Sequence, residues 1–180
     1  MKKQQKTIMV LAMAMITSFI AVGLFFPVLS DAGELRFTDL GNGTVRDNET
    51  GLVWLKNANC FRWKSFHKAM ELVDELRSGQ CGLSDGSIAG DWRLPSVWEW
   101  EDLFVKKYRN PALSNAAGTG KWKKGDVFDN VKNLYYWTGS AFPDPTGRLD
   151  HAYCVYLYYG AVHSKEKDLG LFVWPVRDPY

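Results

Sequence analysis

The spacing of apolar positions changes along the chain, and each change predicts a different kind of element. Between residues 35 and 56, short alternating segments are separated by Gly41-Asn42-Gly43 and by Glu49-Thr50-Gly51. This pattern is typical of strands joined by tight turns, and it predicts strands at 36–39, 44–47 and 52–56. From Lys64 to Ser78 the apolar residues recur every three or four positions instead. That spacing predicts an amphipathic helix that ends before Gly79.

A second helix is predicted to begin after Ser96, because Glu99 follows three residues later and completes a capping box. Its inner face would carry Val97, Trp100, Leu103 and Phe104. Trp98 cannot share a helix face with Trp100, two positions away. The carboxylates Glu99, Glu101 and Asp102 fall in the first helical turn, where the helix dipole stabilises negative charge. We therefore interpret them as capping residues and predict no catalytic acid/base pair.

The last third of the chain alternates again, after a polar, irregular loop at residues 109–134. It predicts an antiparallel sheet with strands at 135–140, 152–158, 161–164 and 171–177. A turn at Tyr159-Gly160 would place His163 opposite Tyr156. The predicted fold class is α+β, with two helices packed on small antiparallel sheets, long irregular loops and one domain over residues 31–180.

Residues 1–30 resemble an export leader. Lys2, Lys3 and Lys6 precede an uncharged stretch from Thr7 to Ser30, which predicts a cleaved signal peptide or an uncleaved N-terminal membrane anchor. Removing these lysines from the 22 basic residues leaves 19 against 20 acidic residues, a net charge of −1. The domain then lacks the positive field of a nucleic-acid binder. The predicted location is extracytoplasmic: periplasmic, secreted, on the cell surface, or anchored in the inner membrane.

The three cysteines are interpreted in the light of that compartment, because oxidising surroundings favour disulfides. Cys60 and Cys81 bracket the first predicted helix, and closing this loop would remove about 3 kcal/mol of unfolded-state entropy. We predict that these two form a disulfide. Cys154 is left over inside an aromatic strand, where a thiol commonly packs as a small hydrophobic group.

Six ordered motifs, which together cover nearly all of residues 35–178, resemble one known family. They are Phe37-Thr38-Asp39 through Gly43-Thr44-Val45, Thr50-Gly51-Leu52-Val53-Trp54, Cys81-Gly82-Leu83-Ser84-Asp85-Gly86-Ser87, Gly90-Asp91-Trp92-Arg93-Leu94-Pro95, Tyr136-Trp137-Thr138-Gly139-Ser140, and Val173 to Arg177. The family is that of the Lcl C-terminal domain. The resemblance implies an exported bacterial domain with a compact C-type-lectin-like fold, distantly similar to the formylglycine-generating enzyme superfamily.

For the collagen-like adhesin that gives the family its name, the resemblance implies binding of sulfated polysaccharide and host surfaces. The present sequence differs in having no collagen-like repeats before the domain. The catalytic cysteine pair and the histidine-rich iron site implied for the related enzymes cannot be matched to residues of this chain. The resemblance therefore predicts a binding role rather than catalysis.

The candidate ligand-binding segment is Lys121-Trp122-Lys123-Lys124 in the long loop. Three ammonium groups beside an indole suit a sulfated or carboxylated sugar, since cations attract the anion and the ring stacks on the sugar. Arg148 and His151 would extend this site if their loop lies nearby. The competing interpretation is a solvated loop whose Trp122 merely packs under the domain.

The leading functional hypothesis is a non-catalytic, adhesion-type binding domain for an acidic glycan. One alternative is an envelope module whose partner is another protein. A further alternative is an oxidative enzyme that uses an exposed Cys154. We expect no cofactor, although calcium at Asp144 and Asp150 stays open as an alternative.

Overall fold

The computed structural model describes residues 34–143 and 149–179. The predicted leader lies outside them. Within the described residues the chain forms two helices and nine strands. The predicted α+β class is confirmed.

The first sheet has four antiparallel strands in the order β1-β2-β3-β9. These strands are Phe37–Asp39, Thr44–Asp47, Val53–Leu55 and Val176–Arg177. The predicted N-terminal strands are thus confirmed to within a residue or two. Their first turn needs glycine at position 43, where φ is +86° and a Cβ would overlap the carbonyl of Gly82.

The second sheet has five strands in the order β4-β8-β5-β6-β7. Its strands in chain order are Trp63–Lys64, Tyr135–Trp137, His151–Tyr156, Ala161–Glu166 and Leu171–Phe172. The prediction of a wholly antiparallel sheet is wrong in one place, because β5 pairs with β8 in parallel through Tyr136 and Phe172. The two-residue strand β4 was not predicted.

The segment 171–177 does not form the single strand that was predicted. It divides into β8, in the second sheet, and β9, in the first, and Val173–Pro175 connects them. The chain crosses here because Trp174 is fully buried and its indole N–H donates to the carbonyl of Leu55 at 2.7 Å. Burial of this large ring outweighs the continuation of a strand.

The hairpin between β6 and β7 has a different register from the predicted one. Residues 157–160 form the turn, so Tyr156 pairs with Ala161 and Cys154 pairs with His163. The expected pairing of His163 with Tyr156 is therefore wrong. The turn is centred one residue earlier than Tyr159-Gly160, and that change moves each partner by two positions.

The first helix, α1, spans Phe66–Asp74, so it is shorter than the apolar spacing predicted. Leu76 lies beyond its end and is still fully buried. The second helix, α2, spans Val97–Leu103 and has the predicted capping box. Ser96 Oγ accepts from the Glu99 N–H at 3.2 Å, and Glu99 Oε2 accepts from the Ser96 N–H at 2.7 Å.

The core is built around Trp174, which joins both sheets to α2. Its ring centroid lies 5.5 Å from that of Trp54 on β3, 5.8 Å from that of Tyr136 on β5 and 5.8 Å from that of Trp100 on α2. All four side chains are fully buried, whereas Trp98 is 74% exposed. The predicted separation of Trp98 from Trp100 is confirmed.

Candidate functional site

The long loop between α2 and β5 is irregular, as predicted, and both of its ends are fastened to the turn after β6. Near its start the Asn110 N–H donates to the carbonyl of Tyr158 at 2.9 Å, and near its end the carbonyl of Leu134 accepts from the Leu157 N–H at 3.0 Å. Between these points an isolated bridge joins Ser114 to Lys121. The candidate segment is thus held against the domain by backbone hydrogen bonds.

The three lysines of this segment, Lys121, Lys123 and Lys124, are all exposed. Within the described part of the chain none of their ammonium groups forms an ion pair or a hydrogen bond. The backbone beneath them is ordered, because the Lys123 N–H donates to Asp126 Oδ2 at 2.6 Å. The charges are therefore available to a ligand without the loss of an internal partner.

Trp122 both packs under the domain and keeps part of its ring available to a ligand, so each of its two interpretations holds in part. Its ring is partly buried and packs against the core, and its indole N–H donates to the carbonyl of Phe128 at 3.3 Å. The Trp122 backbone N–H donates to the carbonyl of Leu113 at 2.8 Å. The indole is thus fixed in orientation, and its remaining surface faces a cleft.

This cleft has a volume of about 680 Å³. Its lining includes the Trp122 indole together with two cationic side chains, those of Lys124 and Lys132. Asp129 and Asn130 complete the polar part of the lining. Lys132 was not predicted, because it lies eight residues beyond Lys124 and only the folded loop brings the two together.

Lys121 and Lys123 are not part of the lining of the cleft. The structure therefore divides the candidate segment, with Trp122 and Lys124 at the cleft and the other two lysines on the exposed surface around it. A ligand in the cleft would meet the first pair directly. The second pair would act on the ligand only through longer-range electrostatic attraction, which salt screens.

His151, which was predicted to extend the site, is the first residue of β6, and its part in the site stays a prediction. Its Nδ1 lies 2.8 Å from Asp150 Oδ1, and its strand partner is Glu166. Arg148 lies outside the described residues, so its place in the site stays a prediction.

The predicted disulfide is present between Cys60 and Cys81, with Cα atoms 5.7 Å apart. It ties the segment before β4 to the turn after α1, next to the tight turn of β1 and β2. The Ser84 N–H donates across this junction to the carbonyl of Asn42 at 2.9 Å. A bridge of this kind fits an extracytoplasmic domain, because oxidising compartments preserve it.

Cys154 is a free cysteine that is completely buried. Burial raises the pKa of its thiol to about 12, which opposes formation of the nucleophilic thiolate. The side chain packs as part of the core. The structure therefore favours the structural interpretation of Cys154 over a reactive one.

The carboxylate of Glu99 caps α2 and also binds Arg93. Arg93 Nη2 lies 2.6 Å from Glu99 Oε1 and 2.9 Å from Asp178 Oδ1. Burial raises the pKa of Glu99, but the hydrogen bonds from Arg93 and Ser96 outweigh it and hold the pKa below its ordinary value. Glu99 stays ionised near neutral pH and fastens the C-terminal segment to α2 through the shared guanidinium.

Two features are absent from residues 34–143 and 149–179. No group of three or more histidine, cysteine, aspartate or glutamate side chains is placed there to hold a metal ion. No helix in those residues is long and apolar enough to cross a membrane. Asp144 lies outside the described residues, so calcium binding there stays an open alternative.

The fold and the candidate site define a disulfide-bridged α+β domain that presents an irregular, cationic loop beside an aromatic cleft. The chain belongs to the Lcl C-terminal domain family, whose model matches residues 43–177. The family resemblance drawn from the sequence motifs is confirmed. Comparisons with curated proteins and with solved structures found no match.

Proposed function

We propose that this protein acts outside the cytoplasm as a non-catalytic, adhesion-type domain that binds an anionic polysaccharide. The observation that carries the proposal is the cleft that Trp122, Lys124 and Lys132 line together. Lys121 and Lys123 add exposed positive charge on the same segment, with no ion-pair partner in the described part of the chain. The Cys60–Cys81 disulfide supports the extracytoplasmic location.

The chemistry of the cleft suits sugars that carry sulfate or carboxylate groups. An ammonium group attracts the anion, and the attraction strengthens when the ligand displaces water from the cleft. The indole offers an apolar surface for the sugar ring, and its hydrogen bond to Phe128 holds it in place before the ligand arrives. A side chain ordered in advance loses less entropy on binding.

The test is binding of the full-length protein to heparin, a sulfated polysaccharide, at low and at high salt. Replacement of Lys121, Lys123 and Lys124 by alanine should lower the affinity at low salt by about tenfold or more. The matched control removes three exposed basic side chains elsewhere, Arg46, Lys68 and Lys106, and should have a much smaller effect. Absence of binding by the unaltered protein would refute the proposal, and so would equal losses in the two variants.

A change of opposite sign tests the same cleft. Asp129 lines it and is the one carboxylate among the described residues of the lining. Its charge opposes an anion, so Asp129→Asn should increase the affinity for heparin several-fold. The backbone hydrogen bonds of Asp129 to Lys56 and Ala58 do not involve the carboxylate, so the fold should tolerate the change. Unchanged or weaker binding would mean that the polysaccharide does not occupy this cleft.

A further inference from the structure

A row of tyrosines lies along one face of the second sheet and continues into the turn after β6. Tyr136 and Val155 point from the other face of the sheet into the core. Tyr135 on β5 pairs with Tyr156 on β6, and their rings stack with centroids 4.6 Å apart. Tyr158 continues the stack at 5.8 Å from Tyr156, and Tyr159 lies 4.5 Å from Tyr158. We call these four residues the tyrosine row.

Stacking determines which part of each ring can meet a ligand. The faces of Tyr135, Tyr156 and Tyr158 lie against one another, at interplanar angles of 20° and 15°. Their hydroxyls make no hydrogen bond within the described chain, and they are not buried from solvent. The row therefore presents hydroxyl donors and ring edges, and aromatic edges carry partial positive charge. It is poorly suited to stacking on sugar faces and well suited to anions.

Cationic side chains flank the row at both ends. The Lys165 ammonium lies 4.9 Å from the ring centroid of Tyr135, and the Arg109 guanidinium lies 5.1 Å from that of Tyr159. His163 packs edge-on to Tyr135 at 5.6 Å. The register places no carboxylate on this face of β5, β6 and β7, because Glu166 points to the other side from Lys165. The charge of this surface is complementary to a polyanion.

The row also follows the cleft closely along the chain. Lys132, which lines the cleft, precedes Tyr135 by three residues, so at most about 11 Å of chain separates them. Arg109 and Tyr158 lie where the long loop is fastened to the turn after β6. A chain-like ligand would have to span this distance to contact both surfaces.

We propose that the tyrosine row is a second contact surface for the same anionic polysaccharide. Its hydroxyls donate hydrogen bonds to sulfate or carboxylate groups that lie between Arg109 and Lys165. This inference rests on the proposed function. It adds a specific requirement, since a purely electrostatic surface would need the cations but not the hydroxyls.

The test measures the affinity of the full-length protein for heparin, for polygalacturonate, which carries only carboxylates, and for neutral dextran. Tyr156→Phe and Tyr153→Phe are a matched pair, because both residues lie on β6 and each loses one hydroxyl. Tyr153 belongs to the other face, where its ring contacts Phe142 at 4.9 Å. Tyr156→Phe should weaken binding of a charged polysaccharide about threefold, and Tyr153→Phe should not change it.

Two combined variants extend the comparison. The triple change of Tyr135, Tyr156 and Tyr158 to phenylalanine keeps the ring stack, so the unfolding midpoint should be nearly unchanged while affinity falls about tenfold or more. Arg109→Gln with Lys165→Gln should also lower affinity and its dependence on salt. Neutral dextran should not bind to any form of the protein.

The outcomes separate this inference from the proposed function. If the loop-lysine variant loses affinity and the phenylalanine variants do not, the tyrosine row is not a contact surface and the proposed function stands. If only the tyrosine variants lose affinity, the row binds and the assignment of the lysine loop is wrong. If the unaltered protein binds neither charged polysaccharide, both proposals fall. The relative strength on heparin and polygalacturonate identifies sulfate or carboxylate as the preferred group.

Discussion

Removal of the Cys60–Cys81 disulfide should destabilise the domain by about 3 kcal/mol. The two cysteines are 21 residues apart in sequence, and the loop between them contains the whole of α1. On the chain-entropy model, freeing a loop of that length in the unfolded state costs the folded protein about 3 kcal/mol of relative stability. In a domain of this size the corresponding fall in the unfolding midpoint is about 10 °C.

The assay is urea unfolding of the Cys60→Ala/Cys81→Ala variant and of the oxidised protein, followed by tryptophan fluorescence. The buried Trp54, Trp100 and Trp174 should report loss of the core in both forms. A reductant should lower the stability of the unaltered protein to about the level of the variant. It should have no effect on the variant, since the remaining cysteine, Cys154, is already a free thiol.

Equal stability of the variant and the oxidised protein, to within about 0.5 kcal/mol, would refute this prediction. It would mean that the unfolded chain already restricts the loop from 60 to 81, or that the bridge strains the native state as much as it constrains the unfolded one. Mass spectrometry that found free Cys60 and Cys81 in protein collected from living cells would instead refute the oxidising compartment. The first result concerns the stability that the disulfide confers, and the second concerns whether the disulfide forms in the cell.

Three further predictions concern packing, exposure and pH. Gly43→Ala should destabilise the domain by more than 2 kcal/mol in thermal unfolding. Gly41 has a similar positive φ but open space around it, so Gly41→Ala should cost about 1 kcal/mol. Similar losses in the two variants would contradict the close approach at position 43. In urea unfolding, Trp100→Ala should cost about 3–5 kcal/mol and Trp98→Ala less than about 0.5 kcal/mol, because only the Trp100 ring is buried. A large loss from Trp98→Ala would contradict this difference in burial. The pKa of Glu99 is lower in the folded than in the unfolded state, so its contribution to stability is present above its ordinary pKa and lost as the pH falls through the lower folded value. Glu99→Gln should therefore reduce the fall in stability between neutral pH and about pH 3. An unchanged pH profile would show that the pair with Arg93 does not perturb the pKa of Glu99.

The proposed binding surface combines one part that a sequence can reveal and one that it cannot. Lys121, Lys123 and Lys124 are neighbours along the chain, so their positive charge is visible in the sequence. Lys132 is brought to Lys124 only by the folding of the loop, and the tyrosine row is formed only by the pairing of β5 with β6 and the turn that follows. A test confined to the local motif would therefore miss Lys132 and the tyrosine row.

Local patterns determined the elements whose stabilising contacts lie within a few residues. The capping box needs only Ser96 and Glu99, and the first turns need only the glycines at their tight positions, so these features followed from spacing alone. The disulfide could also be predicted, because the compartment and the cysteine count left few pairings. The family was recognisable from motifs in a fixed order.

Tertiary structure decided the features whose partners are distant along the chain. The segment 171–177 has the composition of one strand, yet burial of Trp174 against Leu55, more than a hundred residues away, divides it between two sheets. The hairpin register of His163 and the meeting of Lys124 with Lys132 depend likewise on how the whole chain packs. Spacing along a sequence specifies hydrogen bonds between near neighbours, whereas the burial of large side chains is shared among all elements and is settled only when they assemble.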